Sequence, residues 1–349
     1  MTYFQAVVIA LIQGVTEMFP VSSLGHSVLV PAWFGGSWQA LVTQSSEQDS
    51  GSSFYLAYIV ALHCATALAL MWFFRADWVR IIRGFLRSLP ASVRLSLRQR
   101  RLRLSVLDKD ERLAWMIIVA TIPVGLTGVA LEHVFRTVFA KPAAAAVLLF
   151  VNGLILLGAE ALRRAAVRKQ TAAPVAASQA YAPAGAPQGP GYPQNREYQP
   201  APHRAPSGVR AAADIADAER SDERISTLPY SGAVLIGSAQ ILALLAGISR
   251  SGVTMAAGLW RGLDHEDAAR FAFLLATPVI LAAGVLKVPS LAGPAGAHIH
   301  GQVVVGFIVC AIAAYVSVRF LVRWFQTQTL TPFAIYCLVF GALSMFRFI

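Results

Sequence analysis

The sequence predicts an all-α polytopic membrane protein arranged as an inverted-topology repeat, each half a re-entrant helix hairpin followed by three transmembrane helices. Three observations lead to this. First, the 349 residues are 56% hydrophobic and 13% charged, with a mean hydropathy of +0.58, whereas soluble domains carry about 25% charged residues. Second, six stretches (54–74, 113–131, 142–159, 271–286, 301–318 and 332–346) contain no formal charge. A membrane core about 30 Å thick takes roughly 20 apolar helical residues to cross. Third, two further apolar stretches are broken by helix-breaking residues and match each other. Buried helices of a large soluble protein are the alternative, but too little polar sequence remains to cover them.

Taken in order, the first repeat is expected over 1–164. It opens with a hairpin at 2–33, interrupted by Pro20 and Gly25, and continues with spans near 54–74, 113–135 and 143–162. The second repeat is expected over 229–349. Its hairpin at 230–262 is interrupted by Gly247, Gly252 and Gly258, and its spans fall near 268–288, 302–323 and 331–348. Irregular backbone at membrane depth survives only where protein or a wet cavity covers it, so the broken stretches read as re-entrant. QGVTEMFPVSSLG (13–25) aligns with QILALLAGISRSG (240–252), pairing Gln13 with Gln240, Pro20 with Gly247, Ser22 with Ser249 and Gly25 with Gly252. Three crossings per half turn the second copy upside down, and such repeats set their site near the midplane where the halves meet.

Residues 165–228 form the expected linker, with disorder centred on 171–213, which holds eight of the eighteen prolines and no apolar periodicity. The charged segments Ser105–Arg112 and Asp214–Arg224 are expected as short helical extensions. The net charge of +11 comes from position rather than from a nucleic-acid surface. Arg75–Arg112 carries eleven basic residues and Arg163–Arg224 nine, while 34–53 and 288–301 carry none. Basic loops stay in the cytoplasm, where anionic membrane lipids are their expected partner; no nucleic acid is expected. Cys64, Cys310 and Cys337 lie in apolar runs without metal-ligand or disulfide spacing. The N-terminus lacks a basic n-region and is not read as a cleaved signal peptide.

A charge at the centre of a membrane helix costs about 2.5–3.5 kcal/mol on insertion scales, so Glu17 and Arg250 in the two broken stretches need a reason. One reading is an ion pair that locks the halves. The polar company is larger than a pair: Gln13, Thr16, Ser22, Ser23 and His26 on one side, Ser249, Ser251 and Thr254 on the other. GISRSG leading into a helix has the parts of an anion cradle, with freed backbone N–H groups and a guanidinium fork matching phosphate. Ser22, Ser249, Arg250, Ser251 and Thr254 are the candidate phosphate-binding set. His26 can carry a proton near neutral pH, and Ser22 or Ser23 could attack phosphorus or orient water. Glu17 could act as a base, set a histidine tautomer or hold a cation, with Gln13 as its neighbour. His63, in ALHCAT, is a weaker candidate for the same cavity.

QGVTEMFPVSSLGH and AGISRSGVT resemble the two signature motifs of the undecaprenyl-diphosphate phosphatases, the bacitracin-resistance type of bacterial membrane lipid phosphatase, and FAFLLATP (271–278) and LTPFAIY (330–336) are similar to further family stretches. The resemblance covers nearly the whole chain outside the linker. It implies hydrolysis of undecaprenyl diphosphate to the monophosphate and phosphate, which recycles the lipid carrier for cell-wall synthesis. It also implies a bacterial inner-membrane location, a site facing the outer side, and a divalent cation, Mg²⁺ or Ca²⁺. Glu17, Ser23, His26 and Arg250 fall on the family's functional positions. Three departures stand out: Gln13 where a glutamate is common, Ala246 where a proline is common, and Cys337 where a basic residue is expected. An inverted-repeat transporter or flippase for an anionic or polyprenyl-phosphate substrate is the rival reading, and oligomeric state is left open.

Overall fold

In the computed structural model the described residues are 1–47, 54–99, 108–139, 141–180, 207–287 and 299–349, and among them every regular element is a helix. The first hairpin is α1 (Tyr3–Thr16) and α2 (Ser23–Phe34); α3 (Gly36–Glu47) follows, an element not expected from the sequence. Then come α4 (Phe54–Phe73), α5 (Arg75–Gln99), α6 (Lys109–Phe139), α7 (Pro142–Ala180) and α8 (Ser207–Ser226). The second hairpin is α9 (Tyr230–Ala239), a 3-10 turn over Gln240–Leu244, and α10 (Arg250–Trp260), and α11 (His265–Lys287), α12 (His300–Thr327) and α13 (Thr331–Phe348) complete the chain.

Among the described residues, five helical segments are long and apolar enough to cross a membrane, Lys109–Ala130, Pro142–Arg168, His265–Gly284, His300–Thr327 and Thr331–Phe348, and two bent pairs raise the number to as many as seven. The span expected near 54–74 is α4, which turns by 84° into α5. That turn suits the composition of α5. Trp78, Ile81 and Phe85 face the core, Val79, Ile82 and Leu86 are exposed, and arginines recur along the helix. A basic amphipathic helix lying across the end of a span belongs at the headgroup boundary.

The long helices pair in a fixed pattern: α1 packs on α12, α9 on α6, α4 on α11, and α7 on α13. The last pair meets backbone to backbone. A Cβ on Gly153 would lie 2.9 Å from the carbonyl oxygen of Ala334, and one on Gly341 would lie 2.7 Å from the Phe150 nitrogen. Glycine at both places lets two apolar helices approach closely, as in membrane packing generally.

The expected linker needs correction. Residues to 180 continue α7, and 207–226 form α8, so disorder does not extend over those parts of 165–228; residues 181–206 lie outside the described set. The helical extension expected at 214–224 is part of α8. Its end is buried: Ser221 and Asp222 are 0% and 1% exposed. Asp222 accepts hydrogen bonds from Arg80 of α5 (2.6 Å) and from Arg270 of α11 (2.8 and 3.0 Å). Both arginines also reach Asp77 (2.7 and 2.8 Å), and Arg80 reaches Asp110 of α6 (2.9 Å). Beside this cluster, Arg224 and Ser221 donate to Asp267. Buried charges persist only when paired and hydrogen-bonded, so these contacts, rather than apolar packing alone, dock α8.

Arg270→Met should therefore strand Asp77 and Asp222 with Arg80 as their remaining shared cation. We expect a loss of about 3–5 kcal/mol, the range for breaking a buried pair, read as a lower unfolding midpoint in detergent together with faster proteolysis within α8. An unchanged midpoint would show that the cluster does not hold the helix.

Candidate active site

The site is made by two interrupted helices meeting tip to tip. α1 stops at Thr16 and the chain turns through 17–22 before α2 begins. Ser22 takes the turn with φ 71°, a left-handed conformation that costs a non-glycine residue energy. Its hydroxyl oxygen accepts from the Gly25 N–H (3.2 Å), capping α2, and from the Gly247 N–H (3.2 Å) of the other tip. Ser249 caps α10 in the same manner, accepting from the Gly252 N–H (3.1 Å). These are serine N-caps, which satisfy N–H groups that a helix start leaves free. The tips touch through their backbones, since a Cβ on Gly25 would lie 3.0 Å from the Gly247 Cα.

Asn152 of α7 bolts the junction. Its Nδ2 donates to the Pro20 carbonyl (3.1 Å), and its Oδ1 accepts from the Ser249 N–H (3.0 Å). The sequence carried a signal for it, a single amide within an uncharged run. Cys337, which stands at a departure from the family motif, packs against Asn152 with its sulfur 3.3 Å from Nδ2.

A small cavity at this junction is lined by Thr16, Glu17, Ser22, Ser23, Ser249 and Arg250 together with apolar neighbours. Glu17 is its centre. Its Oε2 accepts from Gln13 Nε2 (3.0 Å) and from the Ser23 hydroxyl, and lies 3.3 Å from His63 Nε2. Arg250 NH2 lies 3.3 Å from its Oε1. The carboxylate is 8% exposed, and a buried charge without such donors would be prohibitive. Among the described residues that meet Glu17, two side-chain atoms are buried without a hydrogen-bond partner, Gln13 Oε1 and Arg250 NH1. One is an acceptor that suits a cation and the other a donor that suits an anion, both beside the same carboxylate.

The structure thus brings Gln13, Glu17, Ser22, Ser23, Ser249 and Arg250 together, and it gives three other expected residues different contacts. Ser251 donates to the Phe19 carbonyl (3.3 Å) and Thr254 to the Arg250 carbonyl (2.7 Å), so both hydroxyls hold backbone rather than line the cavity. His26 is not among the residues that line the cavity. Its Nδ1 is 2.7 Å from the Ser22 carbonyl and its Nε2 is 2.7 Å from the Tyr336 hydroxyl of α13, with the ring stacked near Tyr336 and Phe340. The imidazole against Glu17 is that of His63.

A family model described as "Bacitracin resistance protein BacA" matches residues 6–188 and 208–343. The chain is 56% identical to a protein of Frankia alni named undecaprenyl-diphosphatase 2, over all of this chain and 98% of that one. It is 52% identical to an undecaprenyl-diphosphatase of Mycolicibacterium paratuberculosis over 99% of this chain and 97% of the relative. It is 36% identical to undecaprenyl-diphosphatase 2 of Chromobacterium violaceum over 99% and 98%. With matches of this extent over both hairpins and the helices between them, the chain belongs to the BacA family.

Proposed function

We propose that this chain hydrolyses undecaprenyl diphosphate to undecaprenyl phosphate and inorganic phosphate, recycling the lipid carrier of cell-wall synthesis and thereby conferring bacitracin resistance. The relatives' names support the reaction, and one observation carries it: a serine hydroxyl donating to a buried carboxylate that an arginine with a free N–H also faces. Such a group has what phosphoryl transfer requires, a nucleophile, a proton acceptor and a cation for the charge on the transferring group.

The geometry favours Glu17 as the base. Both His26 nitrogens are engaged by Ser22 and Tyr336, whereas Glu17 already accepts from Ser23. Ser23 Oγ bonds to the terminal phosphorus and its proton passes to Glu17. The bond from that phosphorus to the bridging oxygen breaks, and undecaprenyl phosphate leaves. Water then cleaves the phosphoserine, giving inorganic phosphate and restoring the hydroxyl. Arg250 takes phosphate oxygens through its unpartnered NH1, and the Ser22 hydroxyl, whose oxygen accepts from the Gly25 and Gly247 N–H groups, donates its hydrogen to them. His26 holds the strained Ser22 turn through its carbonyl, and with it the aim of Ser23.

The residues fit a divalent cation, Mg²⁺ or Ca²⁺, shared with the substrate. Among the described residues no group of three or more His, Cys, Asp or Glu could hold a metal, so Gln13 Oε1 and Glu17 would hold the ion together with diphosphate oxygens. When bound, it neutralises charge on the phosphoryl group.

The inverted repeat has support in reciprocal contacts. Gly25 meets Gly247 while Gly252 meets Pro20, and Gly153 meets Leu338 while Gly341 meets Phe150. The pairings of α1 with α12 and of α9 with α6 are likewise equivalent under exchange of halves. Residues 1–164 and 229–349 are the two repeats on this reading, with 165–228 joining them. On the same reading the basic α5 marks the cytoplasmic end of the bundle, and the opposite end, where α1 and α2 start and finish, faces out of the bacterial inner membrane.

Purified protein in detergent should release phosphate from a polyprenyl diphosphate, which a carrier would not do. Glu17→Gln and Arg250→Ala should each lower kcat by about 10²–10⁴-fold, and His26→Ala by about tenfold or more. Ser23→Ala should abolish turnover, and acid quenching of the wild type should trap phosphate on Ser23; turnover retained by Ser23→Ala would instead make water the nucleophile. Gln13→Glu sets two carboxylates side by side, so activity should become steeply cation-dependent and saturate at lower free Mg²⁺ or Ca²⁺. A titration unchanged from wild type would remove Gln13 from the cation site.

A further inference from the structure

We propose that His63 is a positioning residue of the active site, acting through Glu17. This rests on the reading of Glu17 as the base for Ser23. His63 belongs to α4, outside both interrupted hairpins, yet its Nε2 lies 3.3 Å from the Glu17 Oε2 that accepts the Ser23 proton. The imidazole has one available orientation. Its Nδ1 is 2.8 Å from the Ile59 carbonyl one turn earlier and its Nε2 faces the carboxylate; both partners are acceptors, so the ring meets them as the imidazolium, with a hydrogen on each nitrogen. A hydrogen bond then lies on the line between Nε2 and Oε2.

The helix that presents this ring is fixed to both arms of the first hairpin. Tyr58 donates to the Ala6 carbonyl of α1 (2.6 Å) and Tyr55 to the Ser27 carbonyl of α2 (2.8 Å). Thr66, fully buried, donates to the His63 carbonyl (2.7 Å). Tyr55, Tyr58, Ile59, His63 and Thr66 recur at three- and four-residue spacing, so one face of α4 carries the anchors and the imidazole together. His63 is thereby held as rigidly as the hairpin itself.

The work of His63 follows from the competing pull on Glu17. Arg250 stands 3.3 Å from Oε1. Without a donor from α4, the carboxylate is free to turn into a closer, two-oxygen pair with that guanidinium, which draws Oε2 off the Ser23 hydroxyl. Misplacing a reacting group by about 1 Å costs on the order of 10²-fold in rate.

The test compares two amides in the purified full-length protein with a polyprenyl diphosphate substrate. In His63→Asn the amide N–H reaches the Ile59 carbonyl but not Glu17; in His63→Gln it reaches the position of Nε2. His63→Asn should lower kcat about 10- to 100-fold with KM within about threefold, and His63→Gln should recover most of that loss, both variants melting near wild type. Equal rates for the two, whether both high or both low, would overturn the proposal. If the wild type releases no phosphate, or Glu17→Gln is as fast as wild type, it is the underlying reading of the site that fails instead.

Discussion

The structure turns on one buried carboxylate. Glu17 sits at the end of an interrupted helix with Gln13, Ser23, His63 and Arg250 disposed about its two oxygens. Lipid cannot solvate such a group, so its ionised form depends on donors brought from separate parts of the chain. Gln13 and Ser23 come from its own hairpin, His63 from α4 and Arg250 from the second hairpin. Assembling these donors requires the two tips to touch, which in turn requires glycine at 25 and 247 and a polar bolt at Asn152. The same contacts that make burial of the charge tolerable also bring a hydroxyl and a guanidinium to the two oxygens of one carboxylate.

Much of this was legible in the sequence, and the legible part has a common cause. Breakers, charges and hydroxyls are rare in an apolar chain, so each one that occurs carries information. Pro20, Gly247, Glu17 and Arg250 marked both tips and the ion pair across them, and all six expected spans coincide with helices. What sequence could not give is direction. His26 and His63 are both imidazoles in apolar surroundings, and nothing in the string of letters says which one turns toward Glu17. The hydroxyls of Ser251 and Thr254 looked available because a side chain bonded to a nearby carbonyl reads the same as a free one. The end of α8 was hidden for another reason: the composition around it indicates a linker, and Asp222 is buried only through partners more than forty residues away.

The two histidines also separate two tasks that are often assigned to one. His26 is packed between α2 and α13 and ties the strained turn at Ser22 to the ring of Tyr336. His63 faces the carboxylate. The turn and the carboxylate are thus each met by a different imidazole, one from α2 and one from α4.

The docking of α8 bears on how the two halves find their register. Asp222 lies within the segment that joins them, and its arginines come from either side of that segment, Arg80 before it and Arg270 after it. Electrostatic recognition at the membrane surface therefore aligns the halves independently of covalent continuity. A chain cut between α7 and α8 would retain the means of reassembly, and insertions at that point would be free to accumulate without disturbing the catalytic centre.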